Sequence, residues 1–134
     1  MLIPITAVYA SLTALLFLFL AWRVTVYRRL FKIGVGDGGQ RDLEVAIRAH
    51  GNLVEYAPIT LILMAIGEMN GVSPLAVYGV GLLFLSSRLL HAWGFIKSRG
   101  GYSRARVAGI VLGWLALVVM VGFILDNVTR VSLW

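Results

Sequence analysis

The chain has 134 residues, 60% of them hydrophobic and only 13% charged, against about 25% charged in an ordinary soluble domain, and its mean hydropathy is +0.89. A small water-soluble domain is excluded, and the bilayer is the expected solvent. The absence of cysteine excludes a disulfide framework, a thiolate metal site and a protein-borne thiol nucleophile, so any sulfur chemistry needs a ligand that brings the sulfur.

Three windows, residues 1–22, 69–87 and 107–125, hold no Asp, Glu, Lys or Arg, and each matches the roughly 20 helical residues that cross a hydrocarbon core of about 30 Å. The first, which covers most of a span over about 3–27, lacks the basic n-region of a secretory signal and runs into the basic tract RRLFK, so it reads as a retained span. GVGDGG (34–39) then breaks the helix, since glycines permit positive φ and Asp37 can bond its own backbone in a turn. It is a loop and not a phosphate cradle: no strand precedes it, and the GxGxxG spacing is missing.

The second apolar window, 56–67, is too short alone. It reaches spanning length as a helix over about 43–68, which carries Asn52 and Glu55 into or near the membrane. Pro58 lies inside that helix and should bend it near Val54, where it leaves a carbonyl without its usual donor. Ser73 and Pro74 have the form of an N-cap and first helical residue for a third span over about 74–97. SRGGYS (98–103) turns the chain into a fourth span over about 104–126. Turns this short imply antiparallel neighbours, hence one domain over 1–134: an all-α, up-down-up-down four-helix transmembrane bundle. Gly79, Gly81, Ser86 and Ser87 on the third span, and Gly109 and Gly113 on the fourth, would let backbones approach closely.

The net charge of +6 is not a nucleic-acid footprint, because eleven of the twelve Lys and Arg lie in residues 23–48 and 88–106. By the positive-inside rule those segments face the cytoplasm and both termini face outward, with the bilayer and its anionic lipids as the partners of most of these cations.

Arg48, Asn52 and Glu55 are spaced i, i+4, i+7 and share one helix face within about two turns. A charge at the bilayer centre costs on the order of 3 kcal/mol, so such groups face the bundle interior, a partner or a ligand. One reading is a satisfied pair, Glu55 with an arginine of a neighbouring span and Asn52 bonding across helices. The other is a ligand site open to the cytoplasmic end. Arg88, His91 and Phe95 repeat the pattern on the third span, with His91 either an interface histidine or a base. No metal site is expected, because His50 and His91 are the only histidines and the metal-ligand spacings are missing. Arg104 and Arg106 sit at a helix N-terminus, where dipole and guanidiniums favour a thiolate or carboxylate, or else serve as ordinary membrane anchors. Arg23, Arg28 and Arg29 could complete a basic mouth at the same membrane face.

RAHGNLVEYAP (48–58) resembles the span-two motif of the membrane-associated proteins in eicosanoid and glutathione metabolism, the MAPEG family: Arg, then Asn four on, Glu seven on and Pro ten on. The chain is similar to a bacterial-type, microsomal glutathione transferase-like member. The resemblance implies a homotrimer in the inner (cytoplasmic) membrane, with glutathione bound between adjacent subunits and open to the cytoplasmic leaflet. It implies that Arg48 takes a glutathione carboxylate, that Glu55 takes the amino group, and that Asn52, Tyr56, Arg88 and His91 share the site, with Arg23 and Arg28 at its mouth. An arginine at the start of span four, Arg104 first and Arg106 second, would stabilise the thiolate. The implied activity is a glutathione-dependent transferase or peroxidase that detoxifies lipophilic electrophiles or hydroperoxides arriving through the bilayer. Phe95 departs from a tyrosine common in the family, and Gly51 from an arginine of the prostaglandin branch. A non-catalytic member, whose polar stripe serves trimer assembly or lipid-ligand binding, is the alternative. A small transporter fits less well, since discontinuous paired helices are not evident.

Overall fold

A computed structural model describes residues 2–131. Four helices follow in order, α1 Pro4–Phe31, α2 Arg41–Met69, α3 Pro74–Lys97 and α4 Arg104–Val131. All four are long and apolar enough to cross a membrane, and the chain is an integral membrane protein.

The up-down-up-down order is fixed by contacts between ends. Glu68, at the end of α2, meets Ile5 and Thr6 at the start of α1, whereas Tyr9 of α1 donates to the carbonyl of Tyr78 at the start of α3. Gly94, late in α3, lies against the Arg106 backbone at the start of α4. α1 packs on α2 and α3, α4 packs on α3 and α2, and among the described residues α1 and α4 do not pack on each other. The section is therefore a rhombus with α2 and α3 on its short diagonal.

Phe84, Leu20, Met64, Met120, Val77 and Val80 fill its centre. Outside, large apolar side chains are exposed on every helix, among them Leu82 at 61% and Val118 at 68%. Lipid tails are as apolar as these side chains, so close packing and interhelical hydrogen bonds hold the bundle together.

The helices outlast the expected spans at three ends, because hydrogen bonds rather than the hydrocarbon edge stop them. α1 runs on through Arg28 and Arg29, basic residues that suit a helix C-terminus, and stops where Lys32 turns left-handed at φ 56°. There the Ile33 N–H returns to the Arg28 carbonyl at 3.0 Å. α2 begins at Arg41 with Asp42 and Glu44 in its first turn, and α4 continues past Asp126, which pairs with Arg130 at 2.9 Å. Pro58 lies within α2 without ending it. The loop over 34–39 matches its expected chemistry: Gly36, Gly38 and Gly39 have positive φ, and the Asp37 carboxylate accepts the Gly39 N–H at 2.8 Å. Ser73 is the α3 N-cap, its hydroxyl accepting from the Ala76 N–H.

Two features hold the bundle in register. α1 has no cap of its own, and Glu68 supplies one from α2. Its Oε1 accepts the Ile5 N–H at 2.8 Å, and its Oε2 accepts the Thr6 N–H at 2.8 Å and the Thr6 hydroxyl at 2.7 Å. A carboxylate at the positive end of a helix, bonded to otherwise orphaned N–H groups, is a favourable placement for a charge near an apolar medium. The second feature is the contact of α3 with α4. A Cβ at Gly109 would sit 2.6 Å from the Ser87 carbonyl and the His91 nitrogen, both backbone atoms of α3, so any side chain there pushes the two helices apart.

Glu68→Ala should therefore cost about 2 kcal/mol and lower the unfolding temperature in detergent. Glu44→Ala, which removes only a half-exposed ion pair, should move it far less; equal shifts would refute the capping role. Gly109→Ala should cost about 1–3 kcal/mol through overpacking that no rotamer change relieves. Gly79→Ala, where a Cβ meets nothing within 4 Å, should be close to neutral in the same melt.

Candidate functional site

At the end of the bundle that carries the basic segments, α2, α3, α4 and the turn before α4 enclose a cleft of about 410 Å³. That lies within the range of small-molecule sites, roughly 300–1,000 Å³. α2 contributes Arg48, Asn52 and Glu55 as successive turns of one face, α3 contributes His91 and Phe95, and α4 contributes Arg106 and Ile110. The helical spacings i, i+4 on α3 and on α4 bring each pair to the same wall. The imidazole of His91 stacks on Phe95 with 5.7 Å between ring centres.

Arg106 is held by the turn beneath it. Its Nη1 donates to the carbonyls of Gly100 and Gly101 at 2.9 and 3.0 Å, and its guanidinium lies 5.2 Å from the centre of the Phe95 ring. Its other guanidinium nitrogens make no hydrogen bond among the described residues, and the positive end of α4 lies alongside. The turn is tied to α2 in its own right, by Arg41 donating to the Arg99 carbonyl at 2.9 Å and by the 2.9 Å ion pair of Arg99 with Asp42.

Arg88 forms the back of the site. Its side chain is 2% exposed, with Nε on the Ser87 hydroxyl at 3.0 Å, Nη1 on the Asn52 Oδ1 at 2.8 Å and Nη2 on the Gly109 carbonyl at 2.9 Å. It lies 4.6 Å from the centre of the Tyr56 ring, and the Tyr56 hydroxyl accepts from the Trp114 indole at 3.0 Å. No carboxylate pairs with it among the described residues. Because an arginine can only donate, Asn52 must turn its carbonyl oxygen to Arg88 and keep its NH₂ for the cleft.

The charges that face the cleft divide into two kinds. Arg41 and Glu44 at its rim satisfy each other at 2.7 Å. Arg48, Glu55 and the outward nitrogens of Arg106 have no ion-pair partner among the described residues. The reading in which Glu55 is neutralised by an arginine of a neighbouring span is therefore not met among the described residues. Two cationic groups and one anionic group remain, beside the free amide of Asn52 and above a buried cation.

Not every candidate residue comes to the cleft. Arg104 is exposed and does not line it. Arg28 is occupied with the loop after α1, donating to the carbonyls of Gly34 and Gly36 at 3.0 Å. Arg23 belongs to a different groove, between α1 and α3. Tyr56 stands behind the wall with Arg88. His50 faces α1, its ring 4.7 Å from that of Phe17. Sequence reasoning missed Arg41 and Glu44 as rim residues, although their spacing continues the stripe of Arg48, Asn52 and Glu55 upstream by two turns. The signal was cut off by starting the span near residue 43.

The MAPEG family model matches residues 6–125. The inner membrane protein YecN of Escherichia coli strain K12 is 40% identical over 117 residues, 87% of either chain, and its namesake in strain CFT073 matches to the same extent. Because the family match runs through all four helices and takes in every residue of the cleft, the chain belongs to the MAPEG family.

Proposed function

We propose that the protein is a glutathione-dependent transferase or peroxidase of the inner membrane, with its basic loops cytoplasmic, acting on lipophilic electrophiles or hydroperoxides. The observation that carries this reading is the set of unpaired groups in the cleft. A γ-glutamyl tripeptide carries an ammonium and a carboxylate at one end and a thiol at its centre, and the cleft offers Glu55 and Arg48 to the first two and leaves Arg106 for the sulfur. Glu55 accepts the ammonium, Arg48 binds a carboxylate, and the NH₂ of Asn52 donates to the ligand. Arg106 lies where it can hold the sulfur, and the positive end of α4 adds to its field. Glutathione supplies the thiol that a chain without cysteine lacks.

A fixed cation beside a thiol favours its ionised form and so raises the thiolate fraction at neutral pH. In conjugation the thiolate lone pair forms the new S–C bond while the leaving group departs with its electron pair. Phe95 gives this site no hydroxyl, so the thiolate depends on Arg106 more fully than in a site with a tyrosine there. Gly51 leaves open space on the α2 side of the cleft, which suits a bulky second substrate. A homotrimer with a site at each subunit boundary is part of the same proposal.

A non-catalytic reading draws on one observation: Arg48 and Glu55 are exposed in the protomer and could instead pair with a second copy. Calorimetry of the purified protein with glutathione separates the two. Binding that falls by about 10- to 100-fold in Arg48→Ala and Glu55→Gln supports the ligand site; no heat at millimolar glutathione supports assembly. With a chlorodinitrobenzene-type electrophile, Arg106→Ala should lower kcat about a hundredfold, while Arg104→Ala stays near the parent. Full turnover in Arg106→Ala would remove the thiolate role assigned to it.

A further inference from the structure

On the other side of the bundle, at the same end, α1 and α3 leave a second groove of about 300 Å³. Its walls are Leu16 and Phe19 of α1 and Leu89, Trp93 and Ile96 of α3, and two cations, Arg23 and Lys97, stand at its end. It shares no lining residue with the cleft.

Neither cation has a counter-charge among the described residues. The Arg23 Nε is buried with no hydrogen-bond partner there, and the guanidinium meets Tyr27, whose hydroxyl lies at 3.5 Å and whose ring centre lies at 5.7 Å. Lys97 lies 4.7 Å from the centre of the Trp93 ring, and no carboxylate pairs with either cation among the described residues. The depth is also specific. The rise from Pro4 to Arg23 is about 29 Å at roughly 1.5 Å per residue, close to the thickness of the hydrocarbon core. Arg23 therefore stands at headgroup level when the start of α1 is at the opposite interface, and Leu16 lies about 10 Å deeper. Apolar walls in the acyl region, ending in two unpaired cations at the phosphate level, complement one molecular shape.

We propose that this groove holds one anionic glycerophospholipid, its phosphate on Arg23 and Lys97 and an acyl chain along Leu16, Phe19, Leu89 and Trp93. The phosphate meets the Arg23 guanidinium at its Nη groups, which no carboxylate pairs among the described residues, and Trp93 takes the interfacial position that tryptophan favours. The site does not depend on the glutathione reading, since no residue is common to the two.

Native mass spectrometry of the full-length protein, with dioleoyl phosphatidylglycerol or dioleoyl phosphatidylcholine added in detergent, tests it. The expected result is one phosphatidylglycerol retained per chain, with Arg23→Gln/Lys97→Gln weakening retention about 25-fold, from roughly a factor of five for each cation near a phosphate. Arg29→Gln/Lys32→Gln, which removes the same charge at the same membrane face outside the groove, should retain it. Arg23→Lys/Lys97→Arg should bind nearly as well as the parent and guards against a loss caused by misfolding. Brominated phosphatidylglycerol should quench fluorescence in the parent more than in Trp93→Phe, which locates the lipid. Equal loss in the two charge-removing variants would reduce the effect to general surface charge. Equal retention of phosphatidylcholine, or no retained lipid because a second copy covers the groove, would overturn the proposal.

Discussion

The buried guanidinium of Arg88 is the constraint around which the interior of this bundle is arranged. A fixed charge inside an apolar bundle is tolerated only if its donors are met, and with no carboxylate beside it three different elements share the task. Ser87 gives a hydroxyl from α3, Asn52 an amide oxygen from α2, and Gly109 a backbone carbonyl from α4. Two of the three glycines of α4, Gly109 and Gly113, serve this one group in different ways. At Gly109 the missing side chain lets the helix approach until its carbonyl is within reach. At Gly113 it leaves room for the guanidinium itself, since a Cβ there would run into Arg88 Nη2. Arg88 thereby couples three helices at the level of the cleft, and the orientation of Asn52 follows from it.

The opposite end of the bundle solves a related problem with the opposite charge. Glu68 lies near the end of its helix, where the donors are the first N–H groups of α1 instead of an arginine. A carboxylate among N–H groups needs no counter-cation to be stable, because the helix end carries partial positive charge. This leaves the cations free to gather at the other end.

Much of this architecture was legible in the sequence, because lipid demands long apolar windows and each turn carried its own chemistry. Ser73–Pro74 and Asp37 among glycines are local signals, and local hydrogen bonds realised them. The helix ends at Phe31, Arg41 and Val131 were not legible from hydropathy, which marks the edge of the hydrocarbon and not the point where hydrogen bonds stop. The shared face of Arg48, Asn52 and Glu55 was readable from spacing alone. The resemblance ranked Arg104 ahead of Arg106, whereas it is Arg106 that lines the cleft, and the sequence holds a clue to this. Arg106, Gly109 and Gly113 lie at i, i+3, i+7, so the arginine on the glycine face of α4 is the one turned to α3. Arg104 is about 140° from Gly109 by helical rotation. The α1/α3 groove had no such signal, since its walls come from two helices far apart in sequence.

Charge count marks the end of the molecule that carries the cleft without distinguishing its parts. Of the eleven cations gathered there, Arg28, Arg41, Arg88 and Arg99 are engaged by carbonyls, a hydroxyl or carboxylates, and they fix loops and helices in place. Arg29, Lys32 and Arg104 are exposed at helix ends, where contact with anionic headgroups is the ordinary expectation. Arg23 and Lys97 flank one groove, and Arg48 and Arg106 line the other. Arg23 and Arg106, each partly buried in a concavity and without an anion among the described residues, are the informative kind, because the protein has accepted the cost of partial desolvation without supplying the compensating charge. By that criterion both grooves stand out, and they differ in one respect. The cleft adds Glu55 and the amide of Asn52 to its cations, so it suits a zwitterionic polar molecule. The α1/α3 groove has apolar walls and cations only, so it suits an anion with a hydrocarbon tail.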